Sequence, residues 1–254
     1  MVATVPSMHT AAVMDFQHSG EIWRDFPELV AGIVFADGIT PDAAAGDRAA
    51  RFTAIASARL AGATEGELPE IRAWRRAFTR MGLKPTQYRC ASEALLRRLR
   101  KDGALPPLHP LVDICNAVSA AFAVPVAVFD VSKVTGCLEV RYAAGDEDYL
   151  TFSGQIEHPG PGEVIFADQA SQVHARRWTN RHSGLSAVQA STATALIVAE
   201  AMHDSASSDM PRLIAAVAEE LNVLWSVTPV AAVLSQSSPR FTVRQGGEGA
   251  GGPR

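Results

Sequence analysis

The sequence predicts a mixed α/β fold of the α+β type, because helical and strand patterns both recur along the chain. Helical spacing is clearest from 110 to 122, where apolar residues return every three or four positions. Strict alternation of apolar and polar residues from 138 to 143 predicts a half-buried strand, and the apolar run from 124 to 129 predicts a buried one. With 254 residues, the chain is long enough for one large domain.

The other elements follow from the same two patterns. Further strands are predicted at 29–35, 163–168, 172–178 and 229–235. Further helices are predicted at 47–60, 71–81, 92–101 and 191–202, with one more opened by Pro211. Residues 1–20 and 235–254 lack periodicity or are rich in glycine, so we predict that both termini are disordered. The predicted domain is then 21–234, and it includes two basic helices within 69–103.

Basic residues are concentrated in one segment, although the net charge of the chain is only −4. Residues 71–101 contain ten lysines and arginines and a single acidic residue, Glu93. Such segregation predicts a surface that binds a polyanion such as RNA. The alternative is that these arginines pair with carboxylates elsewhere in the fold. The residues predicted to contact RNA are Arg72, Arg75, Arg76, Lys84, Arg89, Arg97 and Arg98.

The composition speaks against several classes of protein. The three cysteines are widely spaced and form no CxxC pair, which predicts reduced thiols in a cytoplasmic protein. No apolar run approaches the roughly 18 residues of a membrane span, and the first residues do not form a secretion signal. The chain has no glycine-rich nucleotide motif. We therefore predict no membrane partner, no cofactor and no metal.

Polar residues that are suited to chemistry collect in two segments. Asp113 and Asn116 are three positions apart on the predicted helix, so they share one side of it. The alternative for both is a local hydrogen bond to the backbone. In the second segment, RRWTNRHS at 176–183, Trp178 lies among arginines, and this combination suits a nucleobase and its phosphate. The alternative for Trp178 is a buried core anchor.

Several segments resemble one protein family in order and spacing. They are LPPLHPLVDICNAVS, VPVAVFDVSKVTGCLEVRYAAGDEDY, PGEVIFADQ and ARRWTNRHS, preceded by PEIRAWRRAFTRMGLKPTQYRCASEALLRRL. Together they are similar to free-standing B3/B4-domain proteins, which are relatives of the editing domain in the phenylalanyl-tRNA synthetase β subunit. The resemblance covers roughly 21–204. It implies a central sheet flanked by helices and, in the synthetase, an ester-hydrolysing pocket that removes wrongly attached tyrosine.

The resemblance carries over to single residues of the first segment. Asp113 and Asn116 match the D-x-x-N of the family, and Asp130 matches the acid that closes the next strand. Glu200 lies near the position of a pocket glutamate. The synthetase has GQPMHAFD where this chain has AVPVAVFD, so the editing histidine is replaced by Ala127.

In the second segment the resemblance is to the free-standing members. Arg177, Trp178 and Arg181 match their RRWNWRQ pattern, and Asn180 stands where those proteins usually have tryptophan. His182 is predicted to be an exposed loop residue or an RNA contact. No histidine is therefore expected in the pocket, and we predict that the pocket lies between the helix at 110–122 and this segment.

The predicted function is hydrolysis of mischarged aminoacyl-tRNA in trans, with the acceptor end of an aminoacylated tRNA as the partner. An aminoacyl ester is already activated, so the protein needs mainly to orient a water and to stabilise an oxyanion. The alternatives are a tRNA-binding module without catalysis, favoured by Ala127, and an amino-acid or small-molecule-binding protein. The residues predicted to be catalytic are Asn116, Asp113, Asn180 and Glu200, and those predicted to bind substrate are Trp178, Arg181, Ser183 and Asp130.

Overall fold

A computed structural model describes residues 13–244, and in this part of the chain six helices pack against two β-sheets. The helices are α1 (Gly20–Asp25), α2 (Gly46–Gly62), α3 (Pro69–Arg80), α4 (Ala91–Asp102), α5 (Pro110–Phe122) and α6 (Ala206–Trp225). The strands are β1 (Val13–His18), β2 (Val30–Asp37), β3 (Val126–Asp130), β4 (Cys137–Tyr142), β5 (Asp148–Leu150), β6 (Ile156–Glu157), β7 (Val164–Ala167), β8 (Gln172–Arg176), β9 (Arg181–His182), β10 (Thr194–Ala201), β11 (Val230–Leu234) and β12 (Arg240–Arg244). The predicted mixed α/β class is confirmed.

The strands divide into a larger and a smaller sheet. The larger sheet has the order β12-β1-β4-β7-β8-β5-β6, and β9 pairs with β8. Its β1–β4 and β5–β8 pairs are parallel, and the other pairs are antiparallel. The smaller sheet has the order β11-β2-β10-β3 and is antiparallel throughout. The sheet of the predicted fold is thus made of two parts, and helices flank them.

The smaller sheet separates two hydrophobic cores, and this arrangement positions one site residue. On β10, Ala195 and Ile197 pack into the core formed with α5 and α6. Leu196 and Val198 pack into the core shared with the larger sheet and α3. Because side chains alternate along a strand, Glu200 lies on the same face as Leu196 and Val198.

The predicted helix at 191–202 is wrong, because this segment forms β10 (Thr194–Ala201). The run TALIVAEA is apolar and alanine-rich, so its composition favoured a helix. A short run that is buried on both faces has no helical or alternating period that would distinguish the two structures. Pairing with β2 and β3 on either side gives its backbone groups their partners. The last helix, α6, begins at Ala206, five residues before Pro211.

The predicted disordered termini, 1–20 and 235–254, are too long. Residues 13–18 form β1, which lies between β4 and β12, and residues 240–244 form β12 at the edge of the larger sheet. Phe16 and Phe241 are buried in the core on these strands. The pairing joins segments more than 200 residues apart, so local patterns do not reveal it. Residues 1–12 and 245–254 lie outside the described part of the chain.

The structure bears on two of the predictions made from composition, namely the one on membrane spans and the one on the cysteines. Within residues 13–244, none of the helices combines the length and hydrophobicity that crossing a membrane requires. The cysteines are not in disulfides, and Cys90 and Cys115 are buried. Burial raises the pKa of each of these two thiols to about 12, so both remain protonated at neutral pH.

Candidate active site

A cavity of about 480 Å³ opens between α5, the smaller sheet and the turn that follows β8. It therefore lies between the two segments from which the site is predicted. Leu108 and Phe152, both largely exposed, line it together with the polar residues discussed below. Its volume falls within the roughly 300–1,000 Å³ that is typical of small-molecule sites. Further lining residues are Val112, Val126, Val128, Phe166, Thr179, Val188 and Gln189.

The first turns of α5 place two polar side chains at the cavity. His109 is the N-cap residue, and its Nδ1 accepts a hydrogen bond from the Leu111 backbone N–H at 3.2 Å. Pro110 suits the first helical position, where a missing N–H costs nothing. Asn116 lies further along the same side, is half-buried and lines the cavity. Its side-chain amide has no hydrogen-bond partner among residues 13–244, so it is available to a ligand.

Asp113 does not line this cavity, which corrects its predicted catalytic role. Its carboxylate accepts a hydrogen bond from the Leu108 backbone N–H at 2.8 Å. It lines a second, smaller cavity of about 240 Å³ between α2 and α5, and Asn116 lies between the two cavities. The alternative interpretation, a local bond that holds the start of α5, is therefore right for Asp113.

Trp178 and Glu200 form a buried network behind the cavity. The indole Nε1 of Trp178 donates to Glu200 Oε1 at 2.8 Å, and His18 Nε2 lies 2.6 Å from the same oxygen. The indole Nε1 of Trp74 donates to the Glu200 backbone carbonyl at 3.2 Å. Both site residues line the cavity, yet Trp178 is fully buried and packs edge-on against Trp74. Stacking of Trp178 on a nucleobase is therefore wrong, and the core-anchor alternative is right.

A left-handed turn at Arg177 and Trp178 brings Asn180 to the cavity. The φ angles of Arg177 and Trp178 are 46° and 57°, a region that residues with side chains enter at a cost of about 1–3 kcal/mol. The Trp178 backbone N–H donates to the Val164 carbonyl at 2.7 Å and holds the turn. Asn180 Nδ2 donates one hydrogen to the Arg89 carbonyl at 2.7 Å. Its second N–H is the one that a ligand can use.

Arg181 lines the cavity, but Ser183 and Asp130 do not, so their predicted substrate-binding roles are wrong. The guanidinium of Arg181 pairs with Glu157 at 3.0 Å. Ser183 is buried, and its hydroxyl donates to the Leu150 carbonyl at 2.9 Å. The Asp130 carboxylate accepts bonds from Ser132 and Thr192 and thereby holds the turn after β3. In both cases the side chain satisfies local polar groups of the fold.

His182 lines the cavity, which corrects its prediction as an exposed loop residue or RNA contact. Its ring is half-buried and packs on Phe129, with 5.0 Å between the ring centroids. Ala127 also lines the cavity. His109 was not singled out from the sequence. In the sequence, His109 is recognisable only as a side chain with a hydrogen-bond acceptor directly before Pro110. This pattern predicts an N-cap residue and does not predict that the residue lines a cavity.

We expect His182 to make the fold less stable as pH falls from about 6.5 to about 4. Burial lowers its pKa from 6.5 to about 4, so the folded protein keeps the ring neutral in this window. The unfolded chain binds a proton there, and the free energy of unfolding therefore decreases with falling pH. Above about pH 6.5 neither state binds this proton, so the effect disappears.

Urea unfolding at three pH values between 7.0 and 4.5 measures this slope in wild type and in His182→Asn. We expect the variant to have a flatter slope over the same window. His109, whose pKa burial also lowers, contributes in the same direction in both proteins. An identical slope in the variant would contradict the prediction.

The basic segment is more extensively paired than its sequence suggests. Arg75 pairs with the buried Glu93 at 2.7 Å, and Arg97 and Arg100 both pair with the buried Glu65. For these residues the alternative interpretation, pairing with carboxylates of the fold, is right. Other pairs are Arg80 with Glu28, Arg89 with Glu93 at 3.5 Å and Arg98 with Asp102 at 3.7 Å. Basic residues of the segment with no carboxylate within 4.0 Å among the described residues are Arg72, Arg76, Lys84 and Lys101.

The predicted RNA-binding role of the basic segment has a direct test: Arg72→Glu combined with Arg76→Glu is expected to weaken tRNA binding without unfolding the protein. The two residues are exposed and one helical turn apart on α3, so they present one unpaired cationic face. Each lost phosphate contact should lower the salt dependence by about one unit of log Kd against log salt. Arg75 is unsuitable for charge reversal, since its substitution by glutamate would remove the 2.7 Å partner of the buried Glu93 and place a second carboxylate beside it.

The matched control is Arg51→Glu combined with Lys133→Glu, which changes the net charge equally on α2 and after β3. Binding is measured by fluorescence anisotropy at several salt concentrations. If both double variants weaken binding equally, the effect is one of total charge and the basic segment is not a specific RNA surface.

Comparison with known proteins places the chain in a family. A model of the B3/4 domain matches residues 73–215, more than half of the chain. The chain belongs to the B3/4 domain family. The matched range holds α5 and the turn after β8, so it includes every predicted site residue except Arg72. The resemblance found in the sequence is thereby confirmed.

The relatives of this B3/4 domain chain are much longer proteins. It is 40% identical over 76 residues to the phenylalanine–tRNA ligase beta subunit of Cereibacter sphaeroides, which is 30% of this chain and 9% of that subunit. It is 32% identical over 90 residues to the same subunit of Shewanella oneidensis, 35% of this chain and 11% of that one. The chain thus spans about a tenth of the length of these relatives. A solved N-terminal fragment of the phenylalanyl-tRNA synthetase beta-subunit from Pyrococcus horikoshii is similar with a TM-score of 0.44 and 8% identity, over 85% of this chain and 50% of that one.

Proposed function

We propose that this B3/4 domain chain hydrolyses the ester of mischarged aminoacyl-tRNA in trans. The observation that carries the proposal is the uncommitted amide of Asn116 in a largely apolar cavity. The names of the related subunits support tRNA as the class of partner. The size of the cavity suits an aminoacyl group with part of the terminal nucleoside.

In the proposed reaction, fixed hydrogen-bond donors stabilise the negative charge that develops on the carbonyl oxygen of the ester. Asn116 Nδ2 donates to the carbonyl oxygen, and Asn180, which also lines the cavity, has a second N–H for the same purpose. Such donors act strongly where water is largely excluded, because their dipoles are already oriented before the reaction. The carboxylate of Glu200, which lines the cavity, contacts the α-ammonium group of the substrate.

Exposed groups at the cavity mouth and on α3 would hold the rest of the tRNA. Phe152 lines the cavity and is 74% exposed, so it replaces Trp178 as the aromatic surface for the terminal base. Arg72 and Arg76 provide phosphate contacts that carry no sequence preference. We also propose that the tRNA binds through its acceptor end and carries an amino acid there.

A tRNA-binding module without catalysis is the second candidate, and Ala127 is the observation that favours it. This residue places a methyl group on the cavity wall, at the position that the resemblance assigns to the editing histidine of the synthetase. An amino-acid or small-molecule-binding protein is the third candidate, favoured by the extensive pairing of the basic segment.

A panel of tRNAs, each charged with a wrong amino acid, separates the three candidates. Faster loss of one or more aminoacyl groups than in buffer supports the deacylase. Salt-dependent tRNA binding without deacylation supports the binding module. Binding of free amino acids with no affinity for tRNA supports the third candidate and overturns the proposal.

A further inference from the structure

The turn after β8 is bonded to the loop between α3 and α4. The Asn180 backbone N–H donates to the Arg177 carbonyl at 3.2 Å and closes the turn. The Asn180 side chain donates to the Arg89 carbonyl at 2.7 Å, and the Ala91 backbone N–H donates to the Thr179 carbonyl at 2.9 Å. Ala91, Thr179 and Asn180 all line the cavity. The turn and the loop therefore meet at the cavity.

Arg177, in this turn, has a side chain without a carboxylate partner in the part of the chain that the structure describes. Arg176 pairs with Glu157 at 2.7 Å and with Glu163 at 2.8 Å, and Arg181 pairs with Glu157 at 3.0 Å. Glu163 accepts from the backbone N–H of Arg177 and not from its guanidinium. Two carboxylates thus neutralise two of the three arginines, and the positive charge of Arg177 remains.

The ring of Tyr88 supports this unpaired guanidinium. Cζ of Arg177 lies 4.8 Å from the centroid of the Tyr88 ring, so the two side chains make a cation–π contact. The contact uses the face of the ring and leaves the guanidinium N–H groups for an anion. These nitrogens make no hydrogen bond within residues 13–244, and none of them is among the fully buried unpartnered atoms. Both side chains are half-buried, so a ligand can reach them.

A second unpaired cation lies in the same loop. The backbone N–H of Tyr88 donates to the Lys84 carbonyl at 2.9 Å, so these two residues are one helical turn apart. Lys84 is exposed, and it has no carboxylate within 4.0 Å among the described residues. The loop and the turn therefore present two free positive charges and an aromatic ring, a combination that suits a nucleic-acid backbone.

We propose that Arg177, supported by Tyr88, binds a backbone phosphate of a single RNA strand whose 3′ end enters the cavity. The ends of a closed turn are within about 7 Å of each other, Cα to Cα, so Arg177 lies close to the cavity residue Asn180. A strand with its terminal nucleoside in the cavity passes the guanidinium within its first few nucleotides. Two N–H groups of a guanidinium can bind two oxygens of one phosphate.

The choice of RNA rests on the proposed function, in which the cavity holds the 3′ end of an aminoacyl-tRNA. A carboxylate of a protein partner would satisfy the same guanidinium, and a purely structural clamp between Arg177 and Tyr88 would need no ligand at all. These two alternatives predict that RNA binding is insensitive to the charge of Arg177.

Three substitutions in the full chain separate charge from structure. Arg177→Gln removes the charge and keeps a polar side chain, whereas Arg177→Lys keeps the charge without the paired N–H groups. Arg51→Gln is the matched control, because Arg51 is exposed on α2, does not line the cavity and has no carboxylate within 4.0 Å among the described residues.

The probes are an RNA hairpin that ends in the single-stranded 3′ tail of a tRNA and the same hairpin without this tail. Fluorescence anisotropy at several salt concentrations measures their binding. We expect Arg177→Gln to weaken binding of the tailed hairpin about tenfold and to lower the slope of log Kd against log salt by about 0.7. Arg177→Lys should retain the slope, and Arg51→Gln should bind as wild type does.

Removal of the tail should abolish the difference between wild type and Arg177→Gln, because the contacted phosphate is then absent. Equal weakening of both hairpins by Arg177→Gln overturns the proposal, since the charge then acts elsewhere on the RNA. Unchanged affinity and slope in Arg177→Gln also overturn it, whether or not the melting temperature falls.

Uncharged methylphosphonates at single positions of the tail provide a test that needs no variant. We expect one such replacement to weaken binding to wild type and to have little effect on Arg177→Gln. No effect at any position of the tail overturns the proposal. The hairpins carry no amino acid, so the expected results without deacylation of any mischarged tRNA leave the phosphate site standing and overturn the proposed enzymatic function alone.

Discussion

Asn116→Ala is expected to slow deacylation at least a hundredfold while leaving the fold intact. Loss of one oxyanion donor typically costs about 2.7–4 kcal/mol of transition-state stabilisation. The Asn116 side chain has no hydrogen-bond partner among the described residues, and alanine has the higher helix propensity at this interior position of α5. The free energy of unfolding should therefore stay equal or rise.

Single-turnover hydrolysis of a mischarged tRNA from the panel measures this effect, with tRNA affinity measured in parallel. Affinity should change by no more than a few-fold, because the amide serves the ester and not the phosphates. Asn222→Ala on α6 is the control, since Asn222 bonds the Val227 carbonyl and does not line the cavity. A parallel fall of melting temperature and activity in Asn116→Ala would show that Asn116 is structural.

Glu200→Ala is expected to destabilise the fold by about 2–6 kcal/mol, because two buried polar groups lose their hydrogen-bond partner. The substitution leaves His18 Nε2 and Trp178 Nε1 buried without their acceptor. Each unpaired buried group costs about 1–3 kcal/mol. The loss of side-chain volume behind the cavity adds to this cost.

Urea unfolding of Glu200→Ala, Glu200→Gln and Glu219→Ala tests the prediction. Glutamine keeps an acceptor for the indole of Trp178, so its loss of stability should be smaller than that of alanine. Glu219 is exposed on α6, and its substitution should change the free energy of unfolding by less than about 0.5 kcal/mol. Wild-type stability of Glu200→Ala would contradict the prediction and leave Glu200 with a role in substrate binding alone.

Elements with strong local signals were predicted close to their observed positions. The helix at 110–122 is α5 (Pro110–Phe122), because proline at its start, an apolar face and a proline beyond its end are all local features. The alternation at 138–143 corresponds to β4 (Cys137–Tyr142). The run at 191–202 carried no such period, and its strand structure depends on pairing with β2 and β3.

The candidate site shows the same division between local and long-range information. Sequence spacing predicted that Asp113 and Asn116 share a side of α5, yet one bonds the preceding loop and the other faces the cavity. Trp178 was an equally good candidate for a base platform and for the core. Burial against Trp74 and the bond to Glu200 decide for the core.

By itself, the sequence determined the fold class, the family, the position of α5 and the two segments that form the cavity, because period, proline placement and motif order are local properties of a chain. The tertiary structure decided which polar groups remain unpaired. Glu65 and Glu93 neutralise much of the basic segment, and His18 reaches Glu200 from 182 residues away. His109 and His182 became cavity residues in the same way. Whether a side chain is free for a ligand depends on all of its neighbours in the fold, and those neighbours come from distant parts of the chain.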